Sequence, residues 1–163
     1  MSTSGRELTF KIGEQVVYPQ QGVGCIVGIE TRRAREYYRV KIESSEMDVL
    51  LPVENAAVSG LRHLTSSAEV RKALSSLSVK KESGGSDWKA RLQANQDLMR
   101  EGTLSAVAQV VNILYNRSKI KELPVQERKL YDNALALLVD EASAVLGTDK
   151  EEMKKKIFMR LEK

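Results

Sequence analysis

Cysteine and histidine are almost missing from this chain, with one of each, Cys25 and His63, in 163 residues. A lone cysteine can neither close an internal disulfide nor build a cysteine-rich metal cage. A lone histidine argues against a histidine-based metal site and against a nucleophile–histidine relay. No apolar run approaches the roughly 18–20 residues that span a bilayer. The opening Met1-Ser-Thr-Ser-Gly-Arg-Glu also lacks the apolar stretch of a secretory signal, so a reduced, soluble, cytoplasmic protein is expected. There is no phosphate-binding Gly-x-x-x-x-Gly-Lys run. Gly22-x-Gly24-x-x-x-Gly28 has the wrong spacing for a dinucleotide fingerprint and precedes no helix, so these glycines read as strand geometry. Catalysis has little to stand on, and no cofactor is expected.

What is present is charge, and it is uneven. Residues 1–65 carry 8 Lys and Arg against 8 Asp and Glu, whereas residues 66–163 carry 18 against 14, so the whole formal +4 lies in the second part. Such an excess suits an anionic partner without driving tight nucleic-acid binding alone.

The hydrophobic pattern also divides the chain. Six of ten glycines, with Pro19 and Pro52, lie in the first 60 residues. Gln15-Val-Val-Tyr18, Gly22–Ile29, Tyr37–Ile42 and Met47–Leu51 read as short strands, the third placing Tyr38, Val40 and Ile42 on one face. Pro19-Gln-Gln-Gly22 reads as a turn, and glycines within Gly22–Ile29 predict a bent strand. Four or five such strands predict a small, strongly bent sheet or barrel.

From Ser66 the period becomes helical. Ser66-x-x-Glu69 is a capping box for a helix with Val70, Ala73, Leu74 and Leu77 on one face. A hydrophilic linker, Val79 to Gly85, precedes a helix capped by Ser86 or Asp87 that carries Trp88, Leu92 and Met99. Thr103 opens a third helix, with Leu104, Val107, Ala108, Val111, Leu114 and Tyr115 at helical spacing. Pro124 suits the first turn of a fourth helix and Gly147 its C-terminal cap, and Thr148-x-x-Glu151 opens a fifth with Met153, Ile157 and Leu161. The expected fold is α+β, with a β domain over 1–65 and an all-α bundle of about five helices over 66–163.

Most chemistry-bearing residues have bland readings: Cys25 as a small buried hydrophobe, His63 as structural, the many carboxylates as helix surface. Two features stand out. Trp88, the only tryptophan, opens a helix after Gly84-Gly85, with Lys89 and Arg91 beside it. A single tryptophan is more often core, but an apolar wedge backed by cations is how proteins grip a distorted minor groove. Arg32-Arg-Ala-Arg35, between two strands with Arg39 nearby, reads as a solvated loop or as a basic contact for an acidic protein surface.

Phe10-Lys-Ile-Gly-Glu-Gln-Val-Val-Tyr-Pro-Gln-Gln-Gly-Val-Gly24 resembles the opening motif of the CarD/CdnL family of bacterial transcription regulators. Leu51-Pro-Val-Glu-Asn55, Val58-Ser-Gly-Leu-Arg62, Asp87-Trp-Lys-Ala-Arg91 and Leu123-Pro-Val-Gln-Glu-Arg-Lys-Leu130 continue the resemblance, which runs from Thr9 to Leu161. The opening motif is shared with the polymerase-interacting module of transcription-repair coupling factors, but this chain has no helicase motor. The resemblance implies a Tudor-like, SH3-like β module docking on the lobe of the RNA polymerase β subunit, with Arg32, Arg33, Leu50 and Pro52 as contacts. It implies a helical domain reaching promoter DNA at the upstream edge of the −10 region, stabilising the open complex through largely sequence-independent minor-groove contact. Trp88 matches the wedge and Arg91 a phosphate contact, while Lys89, Arg128 and Lys129 complete the implied DNA-binding set. Ala90 stands where relatives often carry a second arginine, and Leu50 where they carry an apolar or a basic residue. The implied protein is a non-enzymatic monomer associated with the nucleoid through polymerase. The competing expectations are a stand-alone chromosomal DNA-binding protein whose β module dimerises and, more remotely, a small enzyme with an unrecognised site.

Overall fold

A computed structural model describes residues 9–56, 58–82 and 87–163. The polar N-terminus, Gly84-Gly85 and the alternative cap Ser86 lie outside the described residues. The chain separates into two compact units, one holding 9–18 and 22–63, the other 19–21 and 64–163.

The first unit is a five-stranded antiparallel sheet of β1 (Gln15–Tyr18), β2 (Gly22–Arg32), β3 (Arg35–Ile42), β4 (Asp48–Pro52) and β5 (Arg62–His63), in the order β4-β3-β2-β1-β5. Period-two alternation puts Tyr38, Val40 and Ile42 at 0% exposure, packed with Phe10, Val16, Ile26 and Leu51. A bulge between Ile26 and Gly28 shifts the β2–β3 register, which lets one long strand bend around this small core. Gly24 is needed for close approach. A Cβ there would lie 2.8 Å from the Lys41 carbonyl oxygen and 3.0 Å from Val40 Cγ1.

One expectation is narrowed and one corrected in this unit. The exposed connection at Arg32-Arg-Ala-Arg35 is a two-residue hairpin: Arg32 ends β2, Arg35 begins β3, and Arg33 (φ 50°) and Ala34 (φ 65°) close the turn. Both turn residues are left-handed, as this tight hairpin requires, although neither is the usual Asn or Gly. Cys25 is half-buried rather than core, because its Cα partners Gln15 and Lys41 set it on the outer face of the sheet.

The second unit comprises α1 (Ser67–Ser76), α2 (Trp88–Arg100), α3 (Leu104–Ile120), α4 (Val125–Leu146) and α5 (Lys150–Leu161). Its core joins Val70 and Leu74 of α1 and its C-cap Leu77 to Val111 and Leu114 of α3, Leu138 of α4, and Met153 and Ile157 of α5. Burying each large aliphatic side chain stabilises by about 1.5–3 kcal/mol, so the helical stripe is the main reason these segments fold. Ser66 caps α1 by accepting from the Glu69 N–H, Asp87 caps α2 by accepting from Lys89, and Thr103 caps α3 by accepting from Ala106. Gly147 ends α4 in the left-handed conformation (φ 66°), as expected. Pro124 is the N-cap of α4, one position before the first turn. The cap of α5 is Asp149 rather than Thr148: the Asp149 carboxylate accepts the Glu152 N–H, while the Thr148 N–H donates to the Ser143 carbonyl at the end of α4.

The α+β arrangement, a bent Tudor-like sheet followed by helices, is therefore the one the sequence predicts. No helix among the described residues is long and apolar enough to cross a membrane.

Candidate functional site

In the helical unit, an ion pair ties the start of α2 to the start of α4. Arg91 reaches Glu127 with both forks of its guanidinium, Nη2 to Oε1 at 2.9 Å and Nε to Oε2 at 3.3 Å. Arg91 is 5% exposed and Glu127 is 0% exposed. A buried, bidentate pair of this kind fixes geometry, since neither charge can be left alone away from water.

Trp88 lies one turn before Arg91, on the first turn of α2, and is 36% exposed. Lys89 Nζ lies 5.8 Å from the Trp88 ring centroid. On α4, Arg128 and Lys129 follow Glu127 directly and are both exposed. Arg128 stacks over Tyr131 at 5.5 Å and meets the Asp132 carboxylate at 3.3 Å. Burial pushes the Tyr131 phenol up to about 12, despite the Arg128 charge that works the other way, so it stays neutral. Pro124 has no side-chain oxygen to cap α4, whose first-turn N–H groups and dipole favour an anion. Exposed Val125 adds an apolar residue at the start of α4. One end of the helical unit thus brings together a half-exposed indole, three cations and two helix N-termini.

Arg91 does not stand where the sequence reading put it. Its expected phosphate contact is not on offer, because the guanidinium is turned inward and occupied by Glu127. Of the apolar residues that α2 carries, Met99 is buried and Trp88 is exposed. Arg91, Asn95 and Met99 are buried, while Leu92 is intermediate.

Sequence reasoning also missed Glu127 and the asparagines of α3. Asn112 Nδ2 donates to the carbonyls of Ser76 (3.2 Å) and Val79 (2.9 Å), and Asn112 Oδ1 accepts from the Lys81 N–H (3.2 Å). Asn116 donates to Asn112 Oδ1 at 2.7 Å. The segment leaving α1 is thereby fastened to α3 on its way towards α2. A polar residue inside the apolar run Val107–Tyr115 was the available signal for Asn112. Glu127, third in a helix, reads from sequence as an ordinary surface carboxylate.

In the sheet unit, β4 is an edge strand, and its alternation sets Leu50 and Pro52 on the face opposite buried Leu51. Their Cα partners on β3 are Arg39 and Tyr37, and Tyr37 in turn pairs with Glu30 on β2. Arg32, two residues on from Glu30, shares this face. Arg39 pairs with both Glu30 and Asp48, while Arg32, 59% exposed, meets Glu30 at 3.1 Å. Arg32, Leu50 and Pro52 are therefore brought onto one face, and Arg33 tops the adjoining hairpin. His63 is structural: its Nδ1 lies 2.6 Å from Glu14 Oε2 and its ring packs on Phe10 at 4.7 Å. The Glu14 carboxyl is held below its usual range, chiefly because it accepts the Lys11 N–H and also because His63 is beside it.

Comparison with known proteins puts this architecture in the class of transcription factors. Residues 10–65 match the family model described as the CarD-like/TRCF RID domain, and residues 69–158 match the CarD C-terminal domain. The chain belongs to the CarD family, a family of transcription regulators and not of known enzymes. A Bacillus subtilis (strain 168) protein, YdeB, named for a proposed role as a transcription factor, is 29% identical over 153 residues, which cover 89% of this chain and 97% of that protein.

Proposed function

We propose that this chain is a non-enzymatic factor that docks on the lobe of the RNA polymerase β subunit and stabilises the promoter open complex. The outer face of β4, β3 and β2 makes the polymerase contact through Leu50, Pro52, Arg32 and the adjoining Arg33. Its mixed apolar and charged character suits a protein surface, and the β4 edge can accept a partner strand. The helical unit contacts DNA at the upstream edge of the −10 region, Trp88 entering the minor groove and Lys89, Arg128 and Lys129 neutralising phosphates. Arg91 serves by holding Trp88 in place. Ala90 adds no charge, so the DNA contact is weak until polymerase tethers it. Tethering raises the local DNA concentration to about the millimolar range.

The observation that carries this reading is the exposure of Trp88 at a helix start braced by the Arg91–Glu127 pair. An inserted ring recovers part of the few kcal/mol that unstacking a base step costs. Trp88→Ala is expected to shorten open-complex lifetime several-fold and to leave both β-lobe binding and the thermal melt nearly unchanged. A core tryptophan would instead cost about 3–5 kcal/mol. Open-complex decay on one promoter, paired with a melt, separates the two. A melt that collapses, with decay explained by lost fold, overturns the wedge.

A further inference from the structure

The helical unit has a second surface that the DNA contact does not use. An open groove of about 540 Å³ lies between α1, the end of α4 and α5, within the size range of ligand-binding clefts. One wall is Lys156, Met159 and Arg160 of α5, spaced i, i+3 and i+4, with Lys163 just beyond the end of that helix. The opposite wall brings Arg71 and Leu74 from α1, and Leu146 comes from α4.

Two properties mark this groove. Among the described residues Arg71, Lys156, Arg160 and Lys163 make no ion pair, and no Asp or Glu side chain lines the groove. Four like charges around one concavity repel each other and raise a positive potential that an anionic occupant relieves. The second property is an apolar lining: Met159, 65% exposed, lies beside half-buried Leu146 and the edge of the core residue Leu74, 8% exposed. Methionine at a binding surface adapts to varied apolar partners.

We propose that this groove docks an acidic amphipathic helix of a partner protein. Lys156, Met159 and Arg160 rise about 6 Å over one turn of α5, the spacing across which a partner helix presents anchors at i, i+3 and i+4. Leucine-sized anchors settle on Leu74, Leu146 and Met159, while flanking carboxylates meet the four cations. DNA phosphates would use the cations and leave the apolar floor idle, and no aromatic ring lines the groove to stack a base.

The test is fluorescence anisotropy on the full chain with a labelled helical peptide of about 18 residues. It carries leucines at the anchor spacing and glutamates beside them. A scrambled peptide of identical composition and a duplex of about 20 base pairs serve as comparisons. The expected result is at least about tenfold tighter binding of the ordered peptide than of the scrambled one. Arg160→Glu and Met159→Glu should each weaken it severalfold while melting like the parent, and Lys154→Glu, outside the groove, should not. Equal binding of the two peptides, or indifference to Arg160→Glu and Met159→Glu, overturns the proposal. So does a duplex that binds more tightly than the ordered peptide and loses affinity through the same variants.

Discussion

A guanidinium buried against a carboxylate is the most consequential side-chain arrangement in the helical unit. Arg91 and Glu127 are both more than nine-tenths buried, so solvent screens their interaction little. Removing one partner strands a charge away from water, which costs about 3–5 kcal/mol, whereas replacing both with apolar residues is often neutral. Arg91→Met is therefore expected to lower the urea midpoint of the helical unit strongly, and Arg91→Met with Glu127→Leu to recover most of the loss. The recovered double variant should also keep most of the open-complex lifetime, because Trp88 remains in place. A double variant that folds normally and yet loses that lifetime would return Arg91 to a phosphate-contacting role.

At the scale of elements, the β2–β3 hairpin holds two non-glycine residues in the left-handed region, Arg33 and Ala34. That conformation costs an ordinary residue about 1–2 kcal/mol, and glycine avoids it while losing more entropy on folding. Ala34→Gly should thus raise the stability of the sheet unit by about 0.5–1 kcal/mol, read as an upward shift in denaturation midpoint at an unchanged slope. A fall in midpoint would mean that this turn is not strained. The segment before β1 has a pH-sensitive tie to β5, through Glu14 and His63. The folded pKa of Glu14 is lowered from 4.5, so its stabilisation is fully present above 4.5 and lost as pH falls through the depressed folded value. Glu14→Gln should accordingly lower the urea midpoint at neutral pH and converge with the parent at acid pH, which flattens the acid side of the stability profile. Comparing urea midpoints of the two proteins from about pH 3 to pH 7 checks this, and parallel profiles would remove Glu14 as a source of acid lability.

For the molecule as a whole, charge sets how strongly it holds DNA unaided. The formal +4 is modest, and one of the exposed cations at the α2–α4 end, Arg128, already has a carboxylate partner. Three to five phosphate contacts predict a log–log salt slope of roughly −3 to −4.5 for the free protein on duplex DNA. A slope near −10, or about nanomolar affinity without polymerase, would instead favour a stand-alone DNA-binding protein.

Local rules carried most of the architecture. Tyr38, Val40 and Ile42 are buried because alternation in a strand leaves no other face for them, and Ser66, Asp87, Thr103 and Gly147 cap where their backbone chemistry suits a helix end. At Arg32–Arg35 local pattern gave the connection between strands but not its form, because strand pairing imposed a left-handed turn on residues that do not advertise one. At the candidate site, Trp88 and its cations were legible in the sequence as an aromatic at a helix start. The inward turn of Arg91 was not, because its cause, Glu127, lies 36 residues away on another helix. Asn112 and Asn116 were hidden for the same reason, since their partners at 76–81 precede them by more than thirty residues. Periodicity and capping act within a few residues, so the sequence alone determined the elements and their buried faces. Whether a charge meets solvent or a counter-charge depends on chain segments that only packing brings together, and the tertiary structure decided that.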